Sequence, residues 1–123
     1  MNQTPVYPAA AAEATRRHEP WGTLLWLAGR KQGNAAGLTL GRVLIQKGQS
    51  NPRHAHFTCA EVLYLMSGEL LHTVGAVTVR LQAGDTLTIP RGVFHNATSV
   101  GVVDADMIVA YDSADRDFVL EQP

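Results

Sequence analysis

Residues 48–68 read GQSNPRHAHFTCAEVLYLMSG. His54 and His56 are separated by one residue, and on a strand such neighbours point to the same face, so both imidazoles can converge on one point. Glu61 follows after the connection Phe57-Thr58-Cys59-Ala60 and opens an apolar run that ends at Ser67-Gly68. If that run returns antiparallel beside the histidine strand, the Glu61 carboxylate reaches both rings. That arrangement is the expectation. A later stretch carries Pro90-Arg91-Gly92, a rigid turn that aims a third imidazole, His95, inward. Three imidazoles and one carboxylate form a mixed nitrogen and oxygen set suited to one divalent first-row metal ion: iron, manganese, nickel, cobalt or zinc.

Outward from these stretches the chain keeps the spacing of a β-protein. Segments rich in Val, Leu, Ile and Thr span 38–46, 61–66, 69–74, 76–81, 86–89, 94–98 and 102–111. They are cut by turn clusters such as Lys47-Gly48, Ser67-Gly68, Gly75, Ala83-Gly84-Asp85 and Pro90-Arg91-Gly92. Val77, Val79 and Leu81 alternate with Thr78, Arg80 and Gln82, which predicts one buried and one wetter face. Short strands joined by tight turns imply an all-β sandwich or barrel. Residues 1–20 differ: Pro5, Pro8 and Pro20 bracket the Ala-rich run 9–14, which predicts a flexible N-terminal arm with one short helix. A single barrel domain is expected over 21–123, with Trp21 to Ala28 as the strand that anchors the arm.

Composition sets the outer bounds. The 123 residues are 46% hydrophobic and 17% charged, with a net charge of -1, enough for one core and too few for two. Ten Lys and Arg against eleven Asp and Glu leave no basic stripe, so no nucleic-acid partner is expected. No apolar stretch approaches the length of a membrane span, and none is expected. A basic segment followed by an apolar one is missing near Met1, and Cys59 stands alone, so the reading is a cytoplasmic protein without disulfides.

The spacing also carries a family resemblance. Gly48, five residues, His54-x-His56, four residues, Glu61, six residues and Gly68 resemble the first cupin motif without a gap. Gly84, five residues, Pro90-x-Gly92, two residues and His95 resemble the second, and fifteen residues separate the two. The second motif often ends in Asn four residues after its His; this chain has Ser99 there and Asn96 beside the His. The resemblance implies a double-stranded β-helix, or jelly-roll barrel, of the small single-domain type, with the metal held inside near one mouth by His54, His56, Glu61 and His95. It also implies a homodimer, for which Trp21 and Trp26 are candidate contacts, with a plain core role the equal alternative.

Two chemistries are open to such a site. Open positions on a redox-active ion would let dioxygen meet a chelating substrate, as in a dioxygenase, whereas a Lewis acid would polarise a carbonyl for isomerase or lyase chemistry. In either case Glu61 serves as a ligand or as general base. The expected partner is a small polar metabolite, and Arg53, Arg91, Phe94 and Met107 are the candidate substrate contacts. A non-catalytic module binding a small molecule or metal is the alternative. His18 and His72 read as surface and core residues, with an inward-facing His72 the other option.

Overall fold

The computed structural model describes residues 5–123 as two antiparallel sheets facing each other. One short helix, α1 (Ala9–Ala14), precedes eleven strands: β1 (Arg17–Glu19), β2 (Gly22–Ala28), β3 (Thr39–Ile45), β4 (His54–Ala55), β5 (Glu61–Ser67), β6 (Glu69–Val74), β7 (Val77–Gln82), β8 (Thr86–Ile89), β9 (His95–Ser99), β10 (Ala105–Tyr111) and β11 (Val119–Leu120). The first sheet has the order β1-β2-β3-β10-β5-β8 and the second β11-β4-β9-β6-β7. From β3 onward every connection except β6 to β7 crosses between the sheets, Gly68 and the Pro90-Arg91-Gly92 turn among them, the jelly-roll pattern expected from the sequence.

Alternation places the core between the sheets. Along β5, Glu61, Leu63 and Leu65 are buried while Val62, Tyr64 and Met66 face out. β10 repeats the pattern with Ala105, Met107, Val109 and Tyr111 inward. Leu65, Leu70 and Ile45 are fully enclosed, each burial contributing about 1.5–3 kcal/mol relative to exposure. Cys59 belongs to this core, and burial pushes its thiol up. On β7, the edge strand of its sheet, the inner face is graded: Leu81 is buried, Val79 half-buried and Val77 exposed.

Two glycines are required by what lies against them. A Cβ on Gly41 would stand 2.5 Å from the Trp26 ring, so its absence makes room for the indole. Gly92 has φ +78, a region side chains disfavour, and this lets its N–H donate to the His56 carbonyl at 2.7 Å. The corner that delivers His95 is thereby tied to the segment that carries His56.

A strand pair spans residue 20. Arg17–Glu19 pairs antiparallel with Gly22–Leu24, so a hairpin straddles that position and its first strand extends the larger sheet. The Pro20-Trp21 turn closes this hairpin. Upstream, α1 is the short helix expected there; Met1–Thr4 lie outside the described residues. The segment 102–111 is also shorter than expected, since residues 101–103 form the bend before β10. Residues 112–123, which carried no strand expectation, return across the barrel mouth and end in β11, paired with β4.

Candidate metal centre

The three motif histidines meet inside the barrel. His54 and His95 are register partners on β4 and β9, and His56 leaves β4 one residue later. All three are buried, and their ligand nitrogens lie within 4.8 Å of one another, positioned for one metal ion. Glu61 arrives from the other sheet. β5 does not run beside β4 as the sequence suggested: it lies between β10 and β8, and the carboxylate points across the barrel at the rings. The 57–60 connection is a crossing between sheets. It is held by the Asp117 carboxylate, which accepts from the N–H groups of Phe57 and Thr58 at 2.7 and 3.0 Å, and by Asp112, which accepts from the Ala60 N–H at 2.9 Å.

Main-chain carbonyls fix the tautomer of every ring. Nδ1 of His54 donates to the Pro52 carbonyl at 2.7 Å, that of His56 to Asp117 at 2.6 Å, and that of His95 to Val93 at 2.9 Å. A carbonyl only accepts, so each Nδ1 carries the proton and each neutral ring presents an Nε2 lone pair. Glu61 Oε1 stands 3.3 Å from Nε2 of both His56 and His95. These are ion-pair distances, yet all three atoms are buried without a hydrogen-bond partner, since no proton remains on either Nε2 to give. Burial pushes the Glu61 carboxyl up, and only positive charge at the facing Nε2 atoms, a proton or a metal ion, brings it down. A proton on one imidazole would satisfy one contact only. A cation among the four groups satisfies all of them, so the donor set fits a metal ion.

Burial also governs the neighbouring groups. His54 is pushed down to about 4, mainly by desolvation and against the pull of the Pro52 carbonyl, so it stays neutral and basic-site competent at pH 7. Burial raises the Tyr111 phenol, with the Glu61 charge adding to it. His72 faces inward, stacks on His95 at 5.8 Å, donates from Nδ1 to the Thr73 carbonyl and is pushed to about 4 by desolvation. It lies outside the three-nitrogen cluster.

A cavity of about 340 Å³ opens from this cluster to one mouth. His54, Glu61, His72 and His95 form its polar end; Leu24, Val43, Leu63, Met107 and Val109 form apolar walls; Trp21, Trp26, Tyr111, Phe118 and Arg116 complete the lining. Of the four expected substrate contacts, Met107 lines the cavity and the others do not. Arg53 is turned outward, where it pairs with Glu121 and donates to Thr73 Oγ1 and the Gly75 carbonyl. Arg91 is exposed on the corner turn, and Phe94 packs against Phe57. Trp21 and Trp26, the candidate dimer contacts, both face the cavity. Ser99, standing where Asn is often found, is fully buried, and its main chain ties the Gly48 turn: its carbonyl accepts from Gly48 and its N–H donates to Gln49, both at 2.9 Å.

The family model described as the cupin domain matches residues 41–111. The chain belongs to the cupin family. Over 88 residues this cupin is 34% identical to a putative germin-like protein 3-4 of Oryza sativa subsp. japonica, an alignment covering 65% of the chain and 38% of that relative. It is likewise 34% identical over 88 residues to oxalate oxidase 2 of Hordeum vulgare, covering 65% and 39%. The cupin thus spans about two-fifths of the length of these curated relatives. Among solved structures, an oxalate oxidase superposes with a TM-score of 0.76 at 27% identity, over 83% of this chain and 56% of that one. Bacillus subtilis oxalate decarboxylase, whose Mn(II) centres have been characterised, gives 0.79 at 20% identity over 85% and 29%, a likeness of fold alone.

Proposed function

We propose that this cupin is a metal-dependent enzyme acting on a small polar metabolite, with His54, His56, Glu61 and His95 holding one divalent first-row ion. The observation that carries the proposal is the set of buried, partnerless acceptors: Nε2 of His56 and His95 and Oε1 of Glu61, facing one another across the barrel. Such an ion supplies open coordination positions to a chelating substrate and either redox or Lewis-acid chemistry. The protein's own part is positional. The Pro52, Val93 and Asp117 carbonyls hold the rings, Glu61 stays an anion, and the apolar walls keep bulk water from the reacting group. The same Glu61 carboxylate lines the cavity and would serve as general base if it leaves the ion.

The test is metal content of the purified protein by mass spectrometry, with His54→Ala and Glu61→Gln beside it. Close to one equivalent in the wild type, lost in the variants while the circular dichroism spectrum is retained, supports the reading. A protein that stays metal-free after reconstitution with each of the five ions overturns it. Turnover is then sought by oxygen uptake, with oxalate first because relatives are named for its oxidation, and by isomerase and lyase screens. A folded, loaded protein without turnover in any of these would assign it to the binding-module alternative. A homodimer belongs to the same proposal, and light scattering on the purified chain tests it.

A further inference from the structure

We infer that Arg116 anchors the carboxylate of a monoanionic substrate whose apolar body lies against the inner walls of the cavity. This rests on the proposed reading of the site and names the substrate class for it. Arg116 belongs to the loop between β10 and β11 that closes the mouth, and its guanidinium lies 4.5 Å from the Trp26 ring centroid, with Tyr111 at 5.3 Å and Phe118 at 5.7 Å. Rings on several sides hold the group in place without using its N–H donors. Among the described residues it has no carboxylate partner and no hydrogen bond. Both flanking acids are engaged elsewhere: Asp115 pairs with Arg30 at 2.8 Å, and Asp117 accepts from Phe57 and Thr58. The other arginine lining the cavity, Arg17, is bound to Glu19 at 2.6 Å. Arg116 is therefore, among the described residues, the cavity-lining arginine that no carboxylate neutralises.

A planar fork of unused donors beside a cavity matches a carboxylate, which accepts two parallel N–H bonds. A single unneutralised arginine matches a single charge. The walls beyond it, Leu24, Val43, Met107 and Val109, offer nothing to a second polar group and gain from covering with carbon. A small monocarboxylate whose carbon body carries a polar group at its far end uses all of these surfaces: its charged end meets Arg116, its body covers the apolar walls, and its far end reaches the histidine cluster.

The test uses the purified full chain and two probes of equal shape and different charge, phenylacetate and phenylacetamide. Acetate serves as the probe without an apolar body. Binding is read from fluorescence, because the only two tryptophans, Trp21 and Trp26, both line the cavity. Phenylacetate should bind more tightly than phenylacetamide and acetate. Arg116→Gln should weaken phenylacetate by roughly ten- to a hundredfold, the loss expected for a hydrogen-bonded charge, and leave phenylacetamide unchanged. Arg116→Lys, which keeps the charge and loses the fork, should fall between. Unchanged phenylacetate affinity in Arg116→Gln, acetate binding as well as phenylacetate, or affinity lost only in His54→Ala would each overturn the assignment. Failure of the metal proposal is read separately, from metal content.

Discussion

Replacing Asp117 with Ala probes how the mouth loop positions the metal centre. The carboxylate accepts from the Phe57 N–H at 2.7 Å, the Thr58 N–H at 3.0 Å and the Thr58 hydroxyl at 2.7 Å, while the main-chain oxygen of the same residue holds His56 Nδ1 at 2.6 Å. Burial raises the Asp117 carboxyl, but these donors outweigh it and hold it at about 2, against an ordinary 3.8. That depression corresponds to about 2.5 kcal/mol before solvent screening, and to about 1–2 kcal/mol once the half-exposed position is allowed for. The melting temperature at pH 7 should accordingly fall by roughly 4–8 °C. Because the folded-state value is depressed, the contribution is present above pH 4 and is lost as pH falls through about 2. Wild type and Asp117→Ala should therefore differ at pH 7 and converge toward pH 2. Metal affinity should drop about tenfold or more, as when the partner of a ligating histidine is disturbed, whereas the nearby Asp115→Ala should leave it unchanged. Scanning calorimetry across pH, with metal titration at pH 7, measures both. Equal melting temperatures at pH 7, or a gap of constant size from pH 7 to 2, would refute the reasoning.

Other consequences are open to simpler measurements. Gly41→Ala puts a methyl group against the Trp26 ring, so stability should fall by about 1–3 kcal/mol and the tryptophan emission should shift as the indole moves into the cavity. Leu65→Ala empties a fully enclosed position and should cost about 2–5 kcal/mol in chemical denaturation, with metal stoichiometry at 25 °C unchanged. Chelation should lower the melting temperature of the wild type, since it returns Glu61 and the three Nε2 atoms to mutual repulsion; a melt indifferent to chelator would contradict the crowding of acceptors. His72→Ala should retain metal, because His72 lies outside the cluster of ligand nitrogens.

The sequence was most informative where spacing and parity act together. The separation of His54 from His56, the turn before His95 and the alternation along β5 were enough to bring four side chains to one place. They did not show how Glu61 gets there: a connection as short as 57–60 serves equally for a hairpin and for a crossing between sheets, and the Asp112 and Asp117 contacts that decide it lie more than fifty residues away. Arg53, as a motif neighbour, and Phe94, as part of an apolar wall, both read as substrate contacts in the sequence. Each directly precedes an inward histidine, and strand alternation turns such a neighbour outward. Asp115-Arg116-Asp117 has no apolar period and reads as a solvated turn, so the residues that complete the mouth were missed. The only local signal was the apolar trio Phe118-Val119-Leu120 that follows them.

That the ring orientations are set by carbonyls of Pro52, Val93 and Asp117 has a practical meaning for redesign. No second side chain needs to be kept to hold a histidine in its tautomer. The cavity walls can therefore be rewritten position by position, for a larger or differently shaped guest, while the ion-binding end is left as it stands. Substitutions that redirect the backbone, at Pro52, Gly92 or the 112–118 loop, are the ones such a programme has to avoid.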